Sequence, residues 1–173
     1  MAIELEQRRF LRADSPTHGA AAVVALGQSV SVYPNEQAFA DSRGSLVDPN
    51  RGSTAEAPAH YVEAGWHWPP RWGSQSFMSH GVFGAADNAE AIAWMAGVVL
   101  VSDERVALET GQTFYVARVR TVGFEADVCL AASDHAAMPE LGEIIAGTVF
   151  LGGSMESLEP SLKRSKRRWF RRH

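Results

Sequence analysis

Apolar residues are densest between Gly97 and Leu151, where the segments AGVVLV, DERVAL, TFYVARVRT, GFEADVCLA and EIIAGTVFL follow one another with short turns between them. Runs of this length, rich in β-branched residues and bounded by turn residues, read as consecutive strands. The sharpest inference concerns the pair around Val122-Gly123. Taken as a two-residue turn, it sets Thr121 opposite Phe124, Val119 opposite Ala126, Ala117 opposite Val128 and Tyr115 opposite Leu130, all on one apolar face. The other face then pairs Arg120 with Glu125 and Arg118 with Asp127. A slip of one residue would scramble both faces together, so the double agreement selects this register.

Elsewhere the pattern is less regular. Residues 3–12 alternate imperfectly and are read as a strand. GAAAVVAL and SVSVY flank Gly27-Gln28, which suits a two-residue hairpin turn and would set Val23 against Val32 and Ala25 against Val30. Pro34-Asn35 closes that second strand. The stretch DNAEAIAWMAG carries a helix signature: Asp87 as cap, Glu90 completing a capping box, Ala91, Ile92, Trp94 and Met95 on one face, and Gly97 at the stop. Gly147 inside the last apolar run marks a bend or bulge of the kind barrels need at their corners.

Short strands with frequent turns and one short α-helix predict a mainly β fold, a small, partly open antiparallel barrel (OB-like) or a sandwich. The chain divides into a strand-and-hairpin region over 1–40 that packs on the barrel and a flexible loop over 41–59, whose Ser, Gly, Pro, Asp and Asn offer little to bury. An aromatic-rich loop over 60–86 follows, in which Pro69-Pro70 argues against regular structure. Then come a helix plus barrel strands over 87–152 and a basic C-terminal tail over 153–173.

At 173 residues the chain fits one domain, and one cysteine excludes an intrachain disulfide. The N-terminus lacks the apolar core of a signal peptide, and no apolar run approaches a membrane span, so a cytoplasmic location is expected. The net charge of −4 conceals an asymmetry. Residues 1–160 carry nine arginines, no lysine and all 20 acids, a net of −11, while residues 161–173 carry seven bases and no acid, a net of +7.

Candidate chemistry follows from these features. The four charged residues of the central hairpin look at first like a site, but as cross-strand partners they neutralise one another. Cys129 sits mid-strand, where a nucleophile is out of place and a small packed residue is at home. The six histidines have none of the spacings that prearrange a metal site, and neither a metal nor a cofactor is expected. No phosphate loop, dinucleotide fingerprint, nucleophile elbow or metalloprotease signature is present. What remains is a pair of concentrated contact features. Trp66, His67, Trp68, Arg71 and Trp72 combine flat π-faces with a cation, suited to stacking or to anchoring a partner. The tail offers Lys163, Arg164, Lys166, Arg167, Arg168, Trp169, Arg171 and Arg172.

These residues predict a non-enzymatic intracellular binding or adaptor module that engages a protein or nucleic acid, with peripheral contact to an anionic membrane as a further use of the tail. Two alternatives stand beside it. One is a small enzyme with a pocket between the tryptophan loop and the sheet, using His67 or His80. The other is an immunity-type or structural protein that occludes a larger partner through its acidic body.

Overall fold

The structure is a computed structural model and describes residues 2–6, 20–49, 56–82 and 89–155. It is mainly β, as expected, but the barrel is closed where a partly open one was expected, and the described residues hold two short α-helices rather than one. In chain order the elements are β1 (Glu4–Leu5), β2 (Ala21–Tyr33), α1 (Glu36–Asp41), α2 (Ala59–Ala64), β3 (Ser76–Ser79), β4 (Ile92–Val106), β5 (Thr113–Thr121), β6 (Phe124–Ala131) and β7 (Ile144–Met155). The ring runs β7-β2-β6-β5-β4 and returns from β4 to β7. All its pairings are antiparallel except the short β2–β6 seam, where Val24, Ala25 and Leu26 run parallel to Asp127, Val128 and Cys129.

The β5–β6 hairpin forms in the predicted register, from Thr121↔Phe124 through Arg118↔Asp127 to Tyr115↔Leu130. Ala117, Val119, Ala126, Val128 and Leu130 are buried, and Arg118 reaches Asp127 through two hydrogen bonds of 2.6 and 3.1 Å. Gly123 takes the left-handed φ of +83° that the tight turn requires.

Two local readings are overturned. Gly27-Gln28 does not reverse the chain: β2 runs straight through, with the extra residue absorbed as a bulge between Gly27 and Ser29. Ala25 faces Leu151 and Val32 faces Ile145 on β7, so the strand pairs with a distant partner along its whole length. A ladder of that extent outweighs the local turn preference of one dipeptide. The helix expected from Asp87 to Gly97 is also absent: from Ile92 onward the chain is strand β4, and Asp87 lies outside the described residues.

The physical reason is two-sided burial. Ala93, Met95 and Val99 point into the barrel with Val119, Val128, Leu130, Ile145, Val149 and Leu151. Ala96, with Trp94 and Val98, points outward into a second apolar cluster with Phe39, Ile144 and Ala146. A strand buried on both faces loses its alternation and mimics the apolar spacing of a helix.

That second cluster exists because the segment after β2 folds back over the outside of β4 and β7. Asn35 caps α1 through a 2.8 Å bond from the Ala38 amide, and Phe39, fully buried, meets Tyr33 edge-on at 5.3 Å. Residues 41–49 are therefore not an open loop: Ser45 and Leu46 are buried, and Leu46 bridges to Arg71. The aromatic stretch after residue 59 likewise contains a short helix, α2, and an edge strand, β3. β3 lies along the same side of β4 as β5, and Thr121 seals the junction by donating to the Ser76 and Ala96 carbonyls at 3.0 and 2.9 Å. Among the described residues no helix is long and apolar enough to cross a membrane.

The corner at Gly147 is expected to be the least substitutable point. Its φ is +148°, and a Cβ there would run into the Ser29 carbonyl and the Val30 Cα, opposite the β2 bulge. Gly147→Ala should destabilise by about 2–4 kcal/mol, combining backbone strain with overpacking. Gly111→Ala, at φ +69° with open space around it, should cost only about 1–2 kcal/mol. Urea denaturation of both variants checks the order, and equal losses would show that close approach at the corner is not the constraint.

Candidate binding groove

The structure separates the tryptophans that the sequence groups together. Trp66 and Trp68 gather around Tyr61 of α2, with ring centroids 5.5 and 5.0 Å away, and His60 completes that outer cluster at 4.9 Å from Tyr61. Trp66 is 63% exposed, and His67 beside it is exposed. Trp72 goes elsewhere and stacks on Trp94 of β4, centroids 4.6 Å apart and planes 24° from parallel.

Arg71 turns out to be a structural residue. Its Nη1 donates to the carbonyls of Ala40 and Ser42 at 2.6 and 2.8 Å and to the Ser45 hydroxyl. The Ser45 carbonyl accepts from the Trp72 amide at 2.6 Å, and the Val47 amide donates to the Pro70 carbonyl at 3.1 Å. These bonds fasten residues 40–47 to residues 70–72 and so hold Trp72 over the barrel's outer face. The tail residues Lys163, Arg164, Lys166, Arg167, Arg168, Trp169, Arg171 and Arg172 lie outside the described residues.

Beside the Trp72–Trp94 stack is a groove of about 580 Å³ between the fold-back segment and strands β2, β4 and β7. Tyr33, Trp72, Met78, Trp94, Leu46 and Pro49 supply its apolar surface, and Ser29, Ser31, Thr148, Arg43 and His80 its polar surface. Its volume lies within the usual range for ligand sites. Arg43 donates to the Pro49 carbonyl at 3.1 Å. The Trp72 and Trp94 indole N–H groups, the Tyr33 hydroxyl and the Ser29, Ser31 and Thr148 hydroxyls have no hydrogen-bond partner among the other described residues. A larger concavity of about 920 Å³ beside β1 has no aromatic platform, and its Asp127 is already held by Arg118.

Sequence reasoning found Trp72 but missed Tyr33, Met78 and Trp94 as groove residues. Trp94 was hidden by the helix reading. As a strand, the same residues put Trp94 on the opposite face from Ala93 and Met95, and a tryptophan on a barrel's outer face was the available signal. Of the two histidines considered for catalysis, His80 lines the groove and His67 does not.

Among the described residues no group of three or more His, Cys, Asp or Glu is gathered in a way that could hold a metal ion. Burial, and then the neighbouring Asp127 carboxylate, push the Cys129 thiol above its ordinary value, the reverse of what a nucleophile needs. Asp127, by hydrogen bond and charge, raises the already high value of Arg118.

Compared with known proteins, the chain matches no family, no curated protein and no solved structure.

Arg71→Ala should destabilise by about 1–3 kcal/mol, because hydrogen bonds from a charged donor disappear and the Trp72 segment loosens. Urea titration followed by tryptophan fluorescence reads both effects, and a variant as stable as the parent would remove Arg71 from the fold. For Cys129, the rate of iodoacetamide alkylation should rise with pH at an inflection above that of the urea-unfolded chain. The linked stability contribution is full below the unfolded thiol's value and is lost as pH climbs through the folded one. Coincident inflections would contradict burial as the cause.

Proposed function

We propose that this chain is a non-enzymatic binding module in which the closed barrel presents an aromatic groove to a partner protein, with the cationic segment 163–172 as a second point of engagement. The observation that carries the reading is the stacked Trp72–Trp94 pair, half-buried, with both indole donors free of partners among the described residues. Large flat rings with an unused polar edge are the side chains that most often anchor a partner. His80 is the residue that favours an enzyme, yet among the described residues no carboxylate, cysteine or second histidine lines the groove beside it. A general base of that kind needs an orienting or reacting neighbour.

Charge supports a division of labour. Among the described residues 16 acids face five arginines, and Arg71, Arg105 and Arg118 are engaged within the fold. Such a surface repels phosphate backbones, so any nucleic-acid binding belongs to the +7 segment rather than to the groove.

The test uses the full chain with a photo-crosslinker at Val47, which lines the groove and is 44% exposed. In lysate of the source cells it should capture a discrete protein partner. Ser31→Arg, which fills the groove from an exposed strand position, should reduce capture by about tenfold or more, the loss of roughly 1.4 kcal/mol of binding. Undiminished capture by this variant overturns the groove. Deleting 161–173 is read separately by oligonucleotide anisotropy across salt concentrations. A log–log slope flatter by about 0.7–0.9 for each phosphate that the segment had neutralised assigns it to nucleic acid. No affinity at low salt removes nucleic acid as its partner.

A further inference from the structure

We infer that the groove takes a proline-rich segment in the polyproline II conformation. This rests on the binding reading above and names the class of partner. Three of the polar side chains that line it among the described residues are donor-only, while the Ser29, Ser31 and Thr148 hydroxyls can donate or accept. Trp72, Trp94 and Arg43 can only donate, and Tyr33 and His80 can donate. Among the described residues, which include 16 acids, no carboxylate or carboxamide lines the groove. The complementary occupant therefore brings acceptors for the two indoles and the guanidinium.

A polyproline II segment meets that requirement more closely than the alternatives. Its backbone makes no internal hydrogen bonds, so every carbonyl is available to the donor-only groups, and each proline removes a backbone N–H that would otherwise need an acceptor. A sugar brings a donor with almost every acceptor, and an ordinary extended peptide brings one N–H per residue. A nucleic acid brings negative charge, which the −11 net charge of the described residues opposes, with Arg43 the one arginine among the described residues that line the groove. The apolar surface also fits: stacked indoles, Tyr33 and Met78 form ridges against which prolyl rings lie flat, and a preformed helix loses little entropy on docking.

The experiment follows the indole N–H resonances of the ¹⁵N-labelled full chain, assigned by single Trp→Phe variants. The probe is a twelve-residue oligoproline, acetylated and amidated so that no terminal charge contributes. Parallel arms use a Gly-Ser peptide of equal length, a linear glucan hexasaccharide and a single-stranded oligothymidylate. The Trp72 and Trp94 signals should shift saturably with oligoproline alone while Trp66 and Trp68 stay in place, and Ser31→Arg should weaken the response by about tenfold or more. Groove signals that move with the glucan, the oligonucleotide or the Gly-Ser peptide but not with oligoproline overturn this inference and leave the groove standing. Groove signals silent to oligoproline at millimolar concentration, with the Val47 crosslink intact, also overturn the ligand class alone. Loss of the crosslink result overturns the groove itself.

Discussion

Everything in this fold depends on β7 being buried on both faces. Along its edges it pairs with β2 from Ala21↔Met155 to Tyr33↔Ile144, and with β4 from Ile92↔Phe150 to Val98↔Ile144. Where β4 ends its pairing, β1 takes over at Gly152 and Gly153. Its inward residues Ile145, Val149 and Leu151 fill the barrel, and its outward residues Ile144 and Ala146 seat the fold-back segment through Phe39. A strand used on both faces and both edges must bend sharply, and Gly147 opposite the β2 bulge supplies the bend.

The groove is a consequence of that arrangement rather than an addition to it. Chain leaving β2 at Tyr33 has to cross the outer face of β7 and β4 to cover Ile144, Ala146 and Ala96. It is held there by Phe39 at one point and by the Arg71 hydrogen bonds at another, and the coverage stops short of Trp72, Trp94 and Tyr33. Incomplete coverage of an apolar face leaves aromatic rings half-buried, which is the usual physical origin of a binding surface. Charge then acts by exclusion: among the described residues the many carboxylates stay out of the groove, and most of the arginines are engaged within the fold.

Legibility in the sequence depended on how many constraints met at each residue. The β5–β6 hairpin was legible to the residue pair, because its inner face is apolar and its outer face carries opposite charges, so two patterns had to agree. Gly147 was legible as a bend because a lone glycine weakens an apolar strand and is kept where the backbone must kink or approach another closely. The helix signature before Gly97 misled, since two-sided burial erases the alternation that distinguishes a strand. Gly27-Gln28 misled for a related reason: turn preference is local, and its competitor was a ladder with a strand more than a hundred residues away.

The aromatic residues show the same division. The concentration of tryptophan after residue 60 was plain, but its separation into a Tyr61 cluster and a Trp72–Trp94 stack depends on packing between distant segments. Arg71 looked like a ligand cation and became a clasp, because the carbonyls that claim it come from a segment about 30 residues earlier. The sequence by itself determined the strand-rich character, the central hairpin and the charge asymmetry, all of which rest on neighbours in the chain or on composition. Only the tertiary structure decided which faces are covered and which tryptophan is left at an opening, because burial on a second face is set by what folds back over it.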